Sequence, residues 1–238
     1  MRIALSSSTF RRPLAAGELT QLEWLERSAS ALGVDGVLAA VEDFPRTDAE
    51  YVAQLRKVAI DLGVVPFGID AGSLFDAGVS SERRDGALAL ATAFGAAVIR
   101  TTLPPPGDVP PATFVDVARS AKSFARAAKL ANVTVLVATA PGTLGDDAAG
   151  VKHFVKDVDS AWIRATPSVH TEAGAKERIP AFTASPDDEP AVVVARARRA
   201  WLLLDVPPGD TPWEAAGEAI GALRRAEAGE ATRPQRPS

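Results

Sequence analysis

Runs of four to eight β-branched and aliphatic residues alternate along this chain with segments whose apolar residues recur every three or four positions, and that alternation most restricts the fold. Strand-like runs occupy residues 2–7, 34–41, 64–70, 97–103 and 134–138. They are followed in turn by helical patterns at 16–32, from Thr47 to 62, 80–94, 111–131 and 146–158. Leu19, Leu22, Leu25, Ala29 and Leu32 share one face of the first helix, and Gly33 closes it. Thr47 or Asp48, and Ser80 or Ser81, supply capping side chains for the second and third, and prolines open the fourth. A strand feeding a helix that returns to a parallel neighbour makes a right-handed crossover, and repetition of that unit specifies the α/β class.

The end of the chain leaves the strand count open. Residues 162–166 read as a sixth strand, but 167–188 contain no amphipathic helix of ordinary length, only a short strand-like run at 179–184. The pattern resumes with a helix at 189–200, a strongly apolar strand at 201–206, and a helix at 212–228 capped by Thr211. The chain is therefore a single (β/α) TIM-like barrel of seven or eight parallel strands over residues 1–229, degenerate around 167–188. Eight is favoured because a closed ring leaves no exposed strand edge. A Rossmann-like open sheet is the competing architecture, but no Gly-x-Gly-x-x-Gly follows the first strand. Residues 230–238, polar with two prolines and two arginines, read as a disordered tail.

Composition excludes several functions. There is no cysteine, so neither disulfides nor thiolate zinc sites are available, and His153 and His170 are the only imidazoles. A net charge of −4 argues against a nucleic-acid surface, and Arg196, Arg198 and Arg199 read as a solvated helix face. No apolar run approaches the ~18 residues of a membrane span, and the N-terminal apolar run is too short for a signal peptide, so a cytoplasmic protein is expected.

The segments Leu32-Gly33-Val34-Asp35-Gly36-Val37, Asp43-Phe44-Pro45, Tyr51 to Lys57 and Asp61-Leu62-Gly63-Val64 resemble the second and third β/α units of the xylose-isomerase-like barrels, which include sugar-phosphate isomerases and epimerases. Ala93 to Arg100 resembles the fourth strand of that family, and Val158 to Arg164 the entry to the sixth. The resemblance implies a divalent cation, Mg or Mn, held by Glu, Asp, His and Glu from different strand ends, with two acidic groups shuttling a proton between sugar carbons. Matched position by position, the second-strand Glu is Leu38 here, and the fifth-strand Glu-Asn-His-Pro is Ala138-Thr139-Ala140-Pro141. The sixth-strand Asp-x-x-His becomes Pro167-Ser168-Val169-His170, and the seventh-strand His becomes Thr183 or an apolar neighbour. Only Asp205 stands close to the eighth-strand Glu, and one carboxylate does not offset the dehydration of a cation.

Two functional readings follow. In the first, a degenerate sugar isomerase/epimerase-like barrel, non-catalytic or metal-independent, binds a small sugar-like ligand or a protein partner, with no cofactor, nucleic acid or membrane involved. In the second, the chain is an active isomerase or epimerase with a rearranged site, in which Asp70, His170 and Asp205 do acid/base work and Mg or Mn could take part. A metal-free lyase or hydrolase is a third. Arg100, Thr102, Thr139 and Arg164 stand at strand ends as substrate-binding candidates, the arginines either holding an anion or neutralising a rim acid. Asp70, beside Ala71-Gly72, either faces a pocket or caps a turn. Glu42 and Asp43 read as a solvated loop, and His153 as a partly exposed helix residue. Related barrels pair through outer helices, which leaves a homodimer open.

Overall fold

Eight strands form in the computed structural model, which describes residues 1–76, 78–106, 114–170, 181–198 and 200–231. They are β1 (Arg2–Ser6), β2 (Gly36–Ala40), β3 (Val65–Ser73), β4 (Val98–Thr102), β5 (Thr134–Ala138), β6 (Ile163–Thr166), β7 (Ala181–Ala184) and β8 (Trp201–Leu204). Around them run α1 (Arg11–Ala15), α2 (Gln21–Ser30), α3 (Ala49–Asp61), α4 (Ser81–Phe94), α5 (Phe114–Leu130), α6 (Ala148–Val158), α7 (Pro190–Ala197) and α8 (Pro212–Ala231). The strands pair in the order β6-β5-β4-β3-β2-β1-β8-β7, every ladder parallel. Closure comes from one bridge just past β6, where Val169 N–H donates to Thr183 O (3.1 Å) and Thr183 N–H to Pro167 O (3.0 Å). The weak run at 179–184 is thus a strand from Ala181 onward, and the eight-stranded reading holds.

The helix starts differ from the sequence reading at one instructive place. The first helix was expected from residue 16, whereas a five-residue α1 and Gly17, at φ 71°, precede α2. Thr20 caps α2 by accepting from Glu23 N–H, while the Glu23 carboxylate returns to Thr20 N–H (2.8 Å), a capping box that fixes the start three residues before Glu23. Leu19 lies ahead of the helix yet remains buried, and Trp24 takes over the inward face beside Leu25. At the other end α8 continues through Ala231, beyond the expected boundary at 229, and residues 232–238 lie outside the described set. Arg224 of α8 donates to Asp35 (2.6 Å), whose same oxygen accepts from Ile3 N–H (2.8 Å), so the last helix is tied to the first β/α junction. No helix among the described residues is long and apolar enough to cross a membrane.

Partners in a parallel ladder point to the same face, so the registers sort the side chains into two populations. Ile3, Leu5, Val37, Ile69, Ile99, Val135, Val137, Leu202 and Leu204 face the helices and join the large outer core. Ala4, Leu38, Phe67, Val98, Leu136, Ala181 and Leu203 fill the inside of the ring. Phe67 and Trp201 meet at 4.7 Å between ring centroids near the strand N-termini, with the Arg2 guanidinium 4.5 Å over the Trp201 ring. This aromatic floor closes one end of the cylinder, and the strand C-termini form the other.

Gly36 makes that floor possible, because a Cβ there would lie 2.8 Å from a Trp201 ring carbon and 2.9 Å from the Val65 carbonyl oxygen. Gly36→Ala should therefore lower stability by about 1–3 kcal/mol in urea unfolding. Gly209→Ala, where nothing stands within 4 Å, should change it by no more than about 0.5 kcal/mol.

Candidate functional site at the mouth of the barrel

Alternation carries a second inward set to the strand C-termini, where the interior turns from hydrocarbon to polar. Two residues past Val98 on β4 comes Arg100, then Thr102. Asp70 is the ladder partner of Arg100 on β3, and Asp205 follows Leu203 by two positions just beyond β8. Arg100 joins the two acids. Its Nη2 and Nε donate to Asp70 Oδ2 at 2.5 and 3.0 Å, and its Nη1 donates to Asp205 Oδ2 at 2.5 Å. The Arg100 side chain is only 11% exposed, so burial works against its charge, yet the carboxylates of Asp70 and Asp205 raise its pKa above the ordinary arginine value. The guanidinium is a permanent cation placed between two anions on opposite sides of the ring.

Asp70 caps a turn and pairs with Arg100. Its Oδ1 accepts from Gly72 N–H (3.2 Å), capping a turn in which Gly72 sits at φ 61°, while Oδ2 is turned inward to Arg100. Thr101 supports this turn from the next strand by donating to Gly72 O (2.7 Å) and accepting from Leu74 N–H (3.1 Å), across the point where the β3–β4 register shifts. Arg100 settles on the second of its two sequence readings, since it neutralises rim acids and has no free fork for an incoming anion.

Around this trio the mouth carries polar atoms with nothing to bond. Asp205 Oδ1 and Thr166 Oγ1 are buried without a hydrogen-bond partner among the described residues. Thr166 shares a ladder row with Ala138 and Thr102, and Thr183 pairs with Leu203, so both threonines face inward. Thr102 and Thr139 are half-buried. Arg164 is the ladder partner of Leu136, an interior residue, and is half-buried without an ion pair or hydrogen bond among the described residues.

His170 does not join Asp70 and Asp205 through any contact. It lies past the bridge that closes the ring, 58% exposed at the side chain, with Nε2 2.7 Å from Asp188 Oδ1. Asp188 also accepts from Ser185 N–H (2.7 Å), so the pair clasps the end of β6 to the turn after β7. His153 is the exposed helix residue expected, beside Asp157 on α6.

One expectation is corrected. Glu42 and Asp43 were read as a solvated loop, but Val41–Asp43 form a 3-10 turn in which Asp43 is buried. The Ser7 hydroxyl donates to Asp43 Oδ2 (2.5 Å) and accepts from Ala40 N–H (2.8 Å), while Arg11 Nε lies 3.6 Å from Asp43 Oδ1. Burial pushes the Asp43 carboxyl above its usual value, opposed by the Ser7 hydrogen bond and Arg11. The fragment Ser6-Ser7-Ser8 at the end of the first strand is the sequence signal for this contact. Asp43 forms one wall of a rim cavity of about 460 Å³ that Arg11, Gln21, Phe44 and Tyr51 also line.

The donor set does not fit the divalent cation that the sequence resemblance implies. Leu38 and Ala138 are buried hydrocarbon, Pro167 has no ligating side chain, and Arg100 occupies one oxygen of Asp205. Among the described residues no three His, Asp or Glu side chains come together in a way that could hold a metal ion.

Solved structures share this fold at low sequence identity. A probable 3-DHS dehydratase involved in petrobactin synthesis from Bacillus anthracis superposes with a TM-score of 0.72 at 15% identity, covering 94% of this chain and 99% of the other. D-psicose 3-epimerase in the presence of D-fructose gives 0.70 at 15%, covering 97% and 98%. A xylose isomerase-like TIM barrel protein from Mycobacterium smegmatis in complex with magnesium gives 0.67 at 14%, covering 95% and 97%. No family model matches the chain, and no curated protein matches it by sequence. The fold is that of the xylose isomerase-like TIM barrels.

Two outcomes test the electrostatics. Arg100→Met leaves two acids facing each other and should cost about 3 kcal/mol in urea unfolding, the low end for a buried pair because Asp205 stays partly solvated. Adding Asp205→Asn should recover part of that loss. For Asp43, a raised carboxyl pKa means the folded chain keeps a proton that the unfolded chain has released. The stability this proton supplies is complete below the ordinary aspartate range, near pH 4, and is lost as pH rises through the folded value. Asp43→Asn cannot titrate, so its unfolding free energy relative to wild type should climb as pH rises above about 4.

Proposed function

We propose that the barrel mouth binds a small polyhydroxylated molecule without a metal ion, and that the chain is a non-catalytic member of the sugar isomerase/epimerase-like barrels. The observation that carries this reading is the Asp70–Arg100–Asp205 bridge, in which the second carboxylate oxygen of Asp205 has no hydrogen-bond partner among the described residues, with the half-buried hydroxyl of Thr102 two residues beyond Arg100. A buried carboxylate oxygen with no donor is costly, and a sugar hydroxyl supplies that donor while accepting from a threonine hydroxyl in turn. Arg100 performs for the acids the charge-balancing task that a cation performs elsewhere, but a guanidinium cannot release a coordination position to a substrate oxygen. Asp205 keeps one oxygen on Arg100 and the other free to accept, whereas Asp70 is committed to Gly72 and Arg100. Among the described residues no second acid/base group other than Asp70 is brought to Asp205, since His170 is paired with Asp188. The presence of D-fructose with one structural neighbour, D-psicose 3-epimerase, supports a sugar as the ligand class.

Calorimetric titration of a panel of aldoses and ketoses, D-glucose and D-fructose included, in the presence of a chelator should give millimolar or tighter binding to wild type. Asp205→Asn, which replaces the free acceptor by an amide, should weaken it at least about tenfold. Binding that requires stoichiometric Mg or Mn, or conversion of any sugar in the panel followed by NMR, would overturn the proposal.

A further inference from the structure

The mouth carries two arginines and two aspartates, but only one of the arginines is paired with the acids. Asp70 and Asp205 share Arg100, which leaves that trio with a net charge of −1, and Arg164 stands apart from it with no ion pair among the described residues. Arg164 faces the interior, because its ladder partner Leu136 does and parallel neighbours point the same way. Leu136 is fully buried, whereas Arg164 is half-buried. Phe67, Trp201 and Arg2 stack together at the other end of the ring. An uncompensated guanidinium lining a largely apolar cylinder is poorly solvated, and its planar fork matches the two oxygens of a carboxylate.

Resting on the reading that the mouth takes a polyhydroxylated molecule, we infer that the preferred ligand is a polyhydroxy monocarboxylate, a sugar acid, with its carboxylate on Arg164 and its hydroxyls toward Asp205. Charge decides between the oxyanions. A monoanion neutralises Arg164, whereas the second charge of a phosphomonoester would face the net negative trio without a cation of its own. A neutral sugar leaves Arg164 unpaired and should bind more weakly.

Three commercially available ligands of similar size separate these cases: D-gluconate, D-glucose and D-glucose 6-phosphate, titrated calorimetrically into wild type, Arg164→Gln and Arg164→Lys. Wild type should bind gluconate at least about tenfold more tightly than glucose, with the phosphate ester weaker than gluconate. Arg164→Gln should lose the preference for gluconate while its affinity for glucose stays within about twofold, and Arg164→Lys, which keeps the charge without the fork, should fall between. Thermal unfolding of each variant without ligand provides the check on folding, and Arg164→Lys keeps the comparison usable if the amide variant does not fold. Equal affinity for gluconate and glucose in wild type, tighter binding of the phosphate ester, or an unchanged preference in Arg164→Gln would each overturn the sugar-acid assignment while leaving the sugar-binding reading intact. Failure of all three ligands to bind would overturn both.

Discussion

Everything about this molecule depends on eight parallel strands being joined edge to edge into a ring. Once each strand pairs with two neighbours, side chains alternate between an outer face against helices and an inner face against one another, and no residue can change face without shifting a ladder. The inner positions therefore decide what the protein can do. Here they pass from aromatic (Phe67, Trp201) through aliphatic (Leu38, Val98, Leu136, Leu203) to polar (Asp70, Arg100, Thr166, Asp205) along the length of the strands. A dry lower half raises the strength of every electrostatic contact above it, since less water is at hand to screen charges.

That setting explains why an arginine can stand between two acids in the ring. Two carboxylates brought together at the end of a low-dielectric cylinder would repel. Arg100 prevents this by donating to both, and its own charge is secured in return. The arrangement stabilises the charges of the mouth without an exchangeable partner, so the inner surface is organised before any ligand arrives. The polar atoms it leaves over, Asp205 Oδ1 and Thr166 Oγ1, mark where hydrogen-bonding capacity remains.

The fold was largely readable from residue order because period-two and period-3.6 patterns are local. Strands β1 to β6 and their helices fall close to the segments that alternation marks, and helix starts at Asp48, Ser80 and Asp147 follow from side chains that cap their own backbone. β7 was the weakest of the expected strands for a physical reason. It has only four residues, and its signal depends on a neighbour, Thr183 against the Ser168 region, that no local pattern reveals. The site was legible in part. Asp70, Arg100 and Asp205 could be named as strand-end residues, but that one guanidinium would join two acids 30 and 105 positions away is a consequence of ring closure. The charge of Asp43 suggests solvent, while its partner Ser7 comes from the turn just after β1, 36 residues earlier.

The single bridge between β6 and β7 makes the cylinder a staved vessel with one loose joint. Every other joint is a ladder of several registered pairs, whereas this one has two backbone hydrogen bonds and the His170–Asp188 clasp. Local opening begins where the fewest bonds must break, so breathing of the wall will concentrate there.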